Sequence, residues 1–206
     1  MELREIEMGK DANKLQVKDL VTIGIFSAIY FVINLLVMVC GGITPLLWIF
    51  MPPILSVLCG VIYMLLAAKV QKTGAILIMG LITGLIYVAT GQFTLVLLVT
   101  FGLACIVAEV IRKATGYNNF KGNLLGYAFF SLGMVGSPLP IWLFRDSFSE
   151  QMILQGMPAE YVATMNAVTP AWVLVVMAAA TFLLAFVGGF IGKALLTKHF
   201  EKAGMV

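Results

Sequence analysis

The chain has 206 residues, of which 61% are hydrophobic and 11% charged, and its mean hydropathy is +1.03. A soluble domain carries about 25% charged residues, so this composition excludes a soluble globular protein and leaves no room for a soluble catalytic domain; no nucleic-acid partner is expected. The net charge of +3, from 13 Lys and Arg against 10 Asp and Glu, is informative through its distribution rather than its total.

The first 18 residues, MELREIEMGKDANKLQVK, mix both charge signs and have no apolar run or small-residue cleavage site, so they read as a cytoplasmic leader and not a signal peptide. The rest, 19–206, is predicted to be one membrane domain. At about 20 residues per span, it accommodates an all-α bundle of six transmembrane helices with short connections. The first span runs over about 20–40, with Asp19 as its expected N-cap. Its inner half carries Gly24, Ser27 and Ala28, small residues that let another helix approach closely in lipid. Gly41, Gly42 and Pro45 break this helix. Further spans are predicted over about 46–68, 74–89, 92–111, 124–144 and 170–196, the fifth bent by Pro138 and Pro140. Gly80-x-x-x-Gly84 and Gly188-x-x-x-Gly192 are close-packing motifs. Cys40, Cys59 and Cys105 fall singly in spans and read as small buried side chains, with neither disulfide nor metal spacing. Glu109 stands three and four residues before Arg112 and Lys113, a pairing along one helix. His199 stands alone, and no cofactor or metal is expected.

Topology follows from the basic residues. With both termini cytoplasmic, twelve of the thirteen Lys and Arg face inward and Arg145 alone faces out, as the positive-inside rule requires. Residues 145–169 then form a long extracellular loop between the fifth and sixth helices. A structureless loop of more than about 12–15 residues is uncommon unless functional or disordered. This one holds Phe148, Met152, Met157 and Tyr161 and is too apolar for disorder, so it is expected to fold back as a lid or short helix. Arg145, Asp146, Glu150, Glu160, Tyr161 and Asn166 lie in it, and Trp48, Gln92, Trp142 and Trp172 surround it. Aromatic walls with a few convergent polar groups describe a small-molecule site, and these ten residues are the candidate substrate-binding set. The plainer reading of the tryptophans is an interfacial belt. The methionines of the loop read as flexible apolar lining rather than as soft-metal ligands.

The chain has no Walker A pattern, no zinc-protease His pair and no nucleophile elbow. A bundle with an exterior pocket and no energy source of its own points to a binding subunit that borrows energy from partners, and Gly24, Ser27 and Ala28 then read as the partner-docking face.

The stretches DLVTIGIFSAIYFVINLL, IYMLLAAKVQKTGAILIMG, RDSF, EYV and KHFEKAG, taken in order, resemble the substrate-binding S component of an energy-coupling factor transporter, and more narrowly the Trep_Strep family. The resemblance implies a multi-pass subunit of a prokaryotic plasma membrane that captures a micronutrient at its outer face. It also implies toppling in the bilayer when docked on an energising module, formed by a membrane coupling protein (the T component) and two cytoplasmic ATPases. In that class the first-helix small-x-x-x-small surface meets the coupling protein; Gly24 and Ala28 occupy those two positions here. The other class is a stand-alone facilitator or channel. The substrate stays open: aromatic walls suit a flat ring, Arg145 suits a carboxylate or phosphate, and Asp146, Glu150 and Glu160 suit an amine or a cation.

Overall fold

The computed structural model describes residues 14–90, 94–195, 197–202 and 204. Most of the leader, Gln92 and the side chain of His199 lie outside the described residues. All regular structure among the described residues is helical.

Helix α1 spans Val17–Gly41, followed by α2 (Pro45–Ile49), α3 (Met51–Leu58), α4 (Gly60–Lys69), α5 (Ala75–Ala89) and α6 (Leu95–Thr115). Then come α7 (Phe120–Leu132), a 3-10 turn at Gly133–Gly136, α8 (Pro140–Leu143), α9 (Arg145–Leu154), α10 (Ala159–Ala167), α11 (Ala171–Leu195) and α12 (Thr197–Lys202). Crossing the hydrocarbon core takes about 20 residues. Three helices are long and apolar enough alone: α1, α6 and α11. A fourth span requires α3 and α4 together, bent by 44°. Among the described residues, length and composition thus pick out three spans, or four with the bent pair, where six were expected. Helix α5 has 15 residues and α7 has 13. The predicted fifth span stops at Leu132 because a glycine-rich 3-10 turn follows and Pro140 can only open a new helix.

The start of α1 also differs from expectation. Gln16, not Asp19, is the N-cap, and Asp19 sits at the third helical position. Its carboxylate accepts from the Gln16 backbone N–H at 2.8 Å and from Lys72 Nζ at 2.7 Å. An acid at that position satisfies an orphan donor of the first turn while still reaching the α4–α5 connection.

The bend between α3 and α4 has a packing cause. A Cβ on Gly60 would overlap the Gly188 carbonyl, and a Cβ on Gly188 would overlap the Ser56 carbonyl, so α11 lies backbone-to-backbone on the break. The Ser56 carbonyl accepts from Tyr127 Oη at 2.7 Å, so α7 supplies a donor at the same point. The Gly188-x-x-x-Gly192 motif is thus an internal packing face. So is Gly80 on α5, where a Cβ would overlap Cys105 Sγ of α6.

Two apolar clusters result. The larger is centred on rings: Phe130 lies 5.0 Å from Tyr63, 5.3 Å from Phe101 and 5.5 Å from Tyr30 between centroids. The smaller joins Ile49, Ile141, Met152, Val162, Met165, Val173 and Met177 beneath α9 and α10. Outside both, Val21, Ile25, Val32 and Leu36 of α1 and Val175, Leu183 and Phe190 of α11 are exposed, a lipid-facing surface. Cys59 and Cys105 are buried as expected, but Cys40 is exposed, because it lies on the outer stripe of α1.

At the end of the bundle carrying Lys18, Lys69, Lys72, Lys113 and Lys121, Glu109 pairs with Arg112 along α6 as expected, and the pair is the centre of a buried network. Arg112 is 0% and Glu109 4% exposed. Arg112 Nη1 donates to Glu109 at 3.3 Å, Nε to Asn123 Oδ1 at 2.8 Å and Nη2 to the Val70 carbonyl at 3.0 Å. The two Glu109 oxygens accept from the backbone N–H groups of Gly74 and Ile76, at 2.8 and 3.1 Å, at the start of α5. One ion pair thereby ties α6, α7 and the α4–α5 turn together, every charged atom having a partner, as burial demands.

Candidate functional site: a cavity beneath a two-helix lid

Residues 145–169 fold into α9 and α10, hinged at Gly156, whose φ of 93° places it in the left-handed region that favours glycine. The lid is held at three points. The guanidinium of Arg145 donates to the carbonyls of Asn166 and Thr169, covering the carbonyls that the end of α10 leaves orphaned. Tyr161 Oη donates to the Gly41 carbonyl at 2.8 Å, fixing α10 to the end of α1. Burial raises the Tyr161 phenol above its ordinary value, so it remains a donor. Trp142 Nε1 donates to the Pro170 carbonyl at 3.2 Å, and Asn166 Nδ2 donates to Ser149 Oγ at 2.9 Å, joining α10 to α9.

Between this lid and the bundle lies a cavity of about 310 Å³, within the size range of small-molecule sites. Helix α1 contributes Asn34 and Met38, with Gly42 just beyond its end; the α2–α3 region contributes Trp48 and Met51; α9 contributes Phe148, Gln151 and Met152. Tyr87, Thr94, Leu97, Met134, Ser137, Gln155 and Met157 complete the wall. Trp48 and Phe148 stack at 6.1 Å and 20°, one ring from the bundle and one from the lid. Asn34 is 2% exposed. Asn34 and Gly42, both in its wall, stand about 12 Å apart along the helix axis.

Of the ten predicted binding residues, Trp48 alone lines this cavity among the described residues. Arg145, Trp142 and Tyr161 hold the lid, their polar groups engaged by backbone carbonyls, and Asn166 donates through Nδ2 to Ser149 Oγ while its Oδ1 is buried without a hydrogen-bond partner. Asp146, Glu150 and Glu160 are exposed, and Trp172 is 64% exposed where an interfacial anchor belongs. Gln92 lies outside the described residues. The loop methionines divide as lining and packing: Met152 and Met157 face the cavity, and Met165 is buried in the lid cluster.

The expected docking face is also divided. Ser27 is fully buried and its Oγ donates to the Ile23 carbonyl at 2.7 Å. It belongs to the stripe Ile23, Ser27, Tyr30, Asn34, whose spacing of four, three and four keeps it on the core side. Ala28 is exposed, and nothing lies within 4 Å of a Cβ built on Gly24, so these two remain on the outer side of α1.

The family model for Trep_Strep, a hypothetical bacterial integral membrane protein, matches residues 17–202. The chain belongs to the Trep_Strep family. No curated protein and no solved structure matches it. With three helices able to cross a bilayer, this Trep_Strep protein is a multi-pass membrane protein.

Most of the cavity wall was not legible as a site. Met38, Tyr87, Leu97 and Met134 read as ordinary span residues. Asn34 carried the one signal that sequence reading passed over: a carboxamide inside an apolar run, where an unpaired amide is costly.

Proposed function

We propose that this protein is the substrate-capturing S component of an energy-coupling factor importer, with six passes, both termini cytoplasmic and the α9–α10 lid outside. The observation that carries the reading is the cavity of about 310 Å³ between lid and bundle. It is a place to hold one small molecule, in a chain without a nucleotide-binding motif. The segregation of basic residues supports the orientation, with twelve of thirteen at the end opposite the lid in this arrangement. Gly24 and Ala28, open on the outer side of α1, support docking to a coupling protein whose module hydrolyses ATP through two cytoplasmic subunits. Substrate enters under the lid, the lid closes by bringing Phe148 onto Trp48, and toppling in the docked complex delivers it inward.

The test is purification of the tagged full chain from its native host in mild detergent, with mass spectrometry of everything bound. Recovery of a membrane coupling protein with two ATPases is expected. Gly24→Leu and Ala28→Leu should then abolish uptake and leave binding intact. Flux through liposomes holding this chain alone, without ATP, would instead establish a facilitator and end the importer reading.

A further inference from the structure

The cavity has a chemistry of its own, distinct from that of the charged lid surface. None of the described residues lining it is charged. An ionised ligand group inside it would lose its hydration without gaining a counter-charge, which strongly disfavours binding. The wall offers three rings, Trp48, Tyr87 and Phe148, and the polarisable side chains of five methionines, surfaces that suit a flat aromatic body. One polar group at the deep end is unsatisfied. Asn34 Nδ2 donates to the Tyr30 carbonyl at 2.7 Å and faces Cys59 Sγ at 3.8 Å, while Oδ1 is buried and has no hydrogen-bond partner. The amide nitrogen is committed to its own helix, so its orientation is settled. The carbonyl is what remains for a ligand. A buried acceptor left unmade is costly, and a donor from the ligand removes that cost.

We infer that the cavity takes an uncharged, ring-bearing molecule that donates an N–H or O–H to Asn34 Oδ1. This rests on the reading of the cavity as the capture site, and it replaces a ligand anchored by Arg145, whose guanidinium is spent on the carbonyls of Asn166 and Thr169. Discrimination follows from the same geometry: a site built to hydrogen-bond a donor rejects the analogue that lacks it far more strongly than a pocket rejects a missing methylene.

Three probes of matched shape test it on the purified full chain in lipid nanodiscs by titration calorimetry: 1-naphthamide, N,N-dimethyl-1-naphthamide and 1-naphthoate. The amide should bind at least tenfold more tightly than either the dimethylamide, which has no donor, or the carboxylate, which is charged. Asn34→Leu should bring the two amides within about twofold of each other. Equal or tighter binding of the naphthoate overturns the inference, as does an unchanged amide ratio in Asn34→Leu or binding of none of the three. The wild-type ratios decide the matter even where the variant fails to insert. Because no other subunit is needed, reversed ratios would end the ligand assignment while leaving co-purification of the ATPases standing. Absence of those ATPases would end the importer reading while leaving the ratios standing.

Discussion

The two ends of this bundle solve the burial of polar groups in opposite ways. At the basic end Arg112 and Glu109 are buried, charged and saturated, with Asn123, Val70, Gly74 and Ile76 supplying partners. At the lid end the cavity is uncharged among its described lining residues, and the Asn34 carbonyl oxygen in its wall lacks a partner. A saturated network fixes three segments in one arrangement. An unsatisfied acceptor beside a cavity leaves an interaction for something that arrives. The lid end is also joined more lightly: two short helices, a glycine hinge and hydrogen bonds at Arg145, Tyr161 and Trp142. Local opening follows such a distribution of contacts.

The contrast can be broken most forcefully at the basic end. Arg112→Met should cost about 3–5 kcal/mol, because it strands the buried Glu109 carboxylate. Thermal unfolding in detergent measures this, and the double change with Glu109→Met should recover much of the loss. A small cost for the single change would mean that the network does not hold that end. Gly188→Ala comes next, at about 1–3 kcal/mol, since its Cβ meets the Ser56 and Val57 carbonyls rather than a movable side chain. The same melting curves read it.

At the lid end the expected effects fall on binding and local opening. Met38→Trp, which projects bulk into the cavity, should weaken binding of a neutral ring probe by tenfold or more, about 1.4 kcal/mol. Its melting temperature should stay near that of the parent protein. Arg145→Ala should lower hydrogen-exchange protection over α10 by about tenfold, corresponding to hydrogen bonds from a charged donor, and leave the basic end unchanged. Equal loss of protection at both ends would show that the two regions are not separable. The smallest effect is expected from Glu150→Gln and Glu160→Gln. Both acids are exposed, and ligand affinity should stay within about twofold.

Much of the architecture could be read from the chain and rather little of the site. The apolar stretches, the punctuation by Gly41, Gly42 and Pro45, and the lid character of 145–169 are all local properties. Hydropathy and helix-breaking residues act over a few turns. The breaks inside predicted spans were partly visible, as Pro138 and Pro140 announced one. The bend at Cys59 was not, because its cause is Gly188, more than a hundred residues away. Among site residues, Trp48 was found by its aromatic character. Arg145, Asp146, Glu150 and Glu160 were singled out because charge is conspicuous on an apolar chain. Their positions show them bonding the lid to itself or facing water.

The sequence by itself determined that the chain is helical and lives in a membrane. It also marked 145–169 as an apolar, foldable segment, since composition and hydrophobic period act locally. Only the tertiary structure decided that Glu109 and Arg112 are buried together, that Ser27 turns inward while Gly24 and Ala28 stay out, and that Asn34 Oδ1 ends unpartnered beside a cavity. Those outcomes depend on which helix face meets which neighbour. A side chain's partners are set by segments distant in sequence, and the pattern along one helix does not contain them.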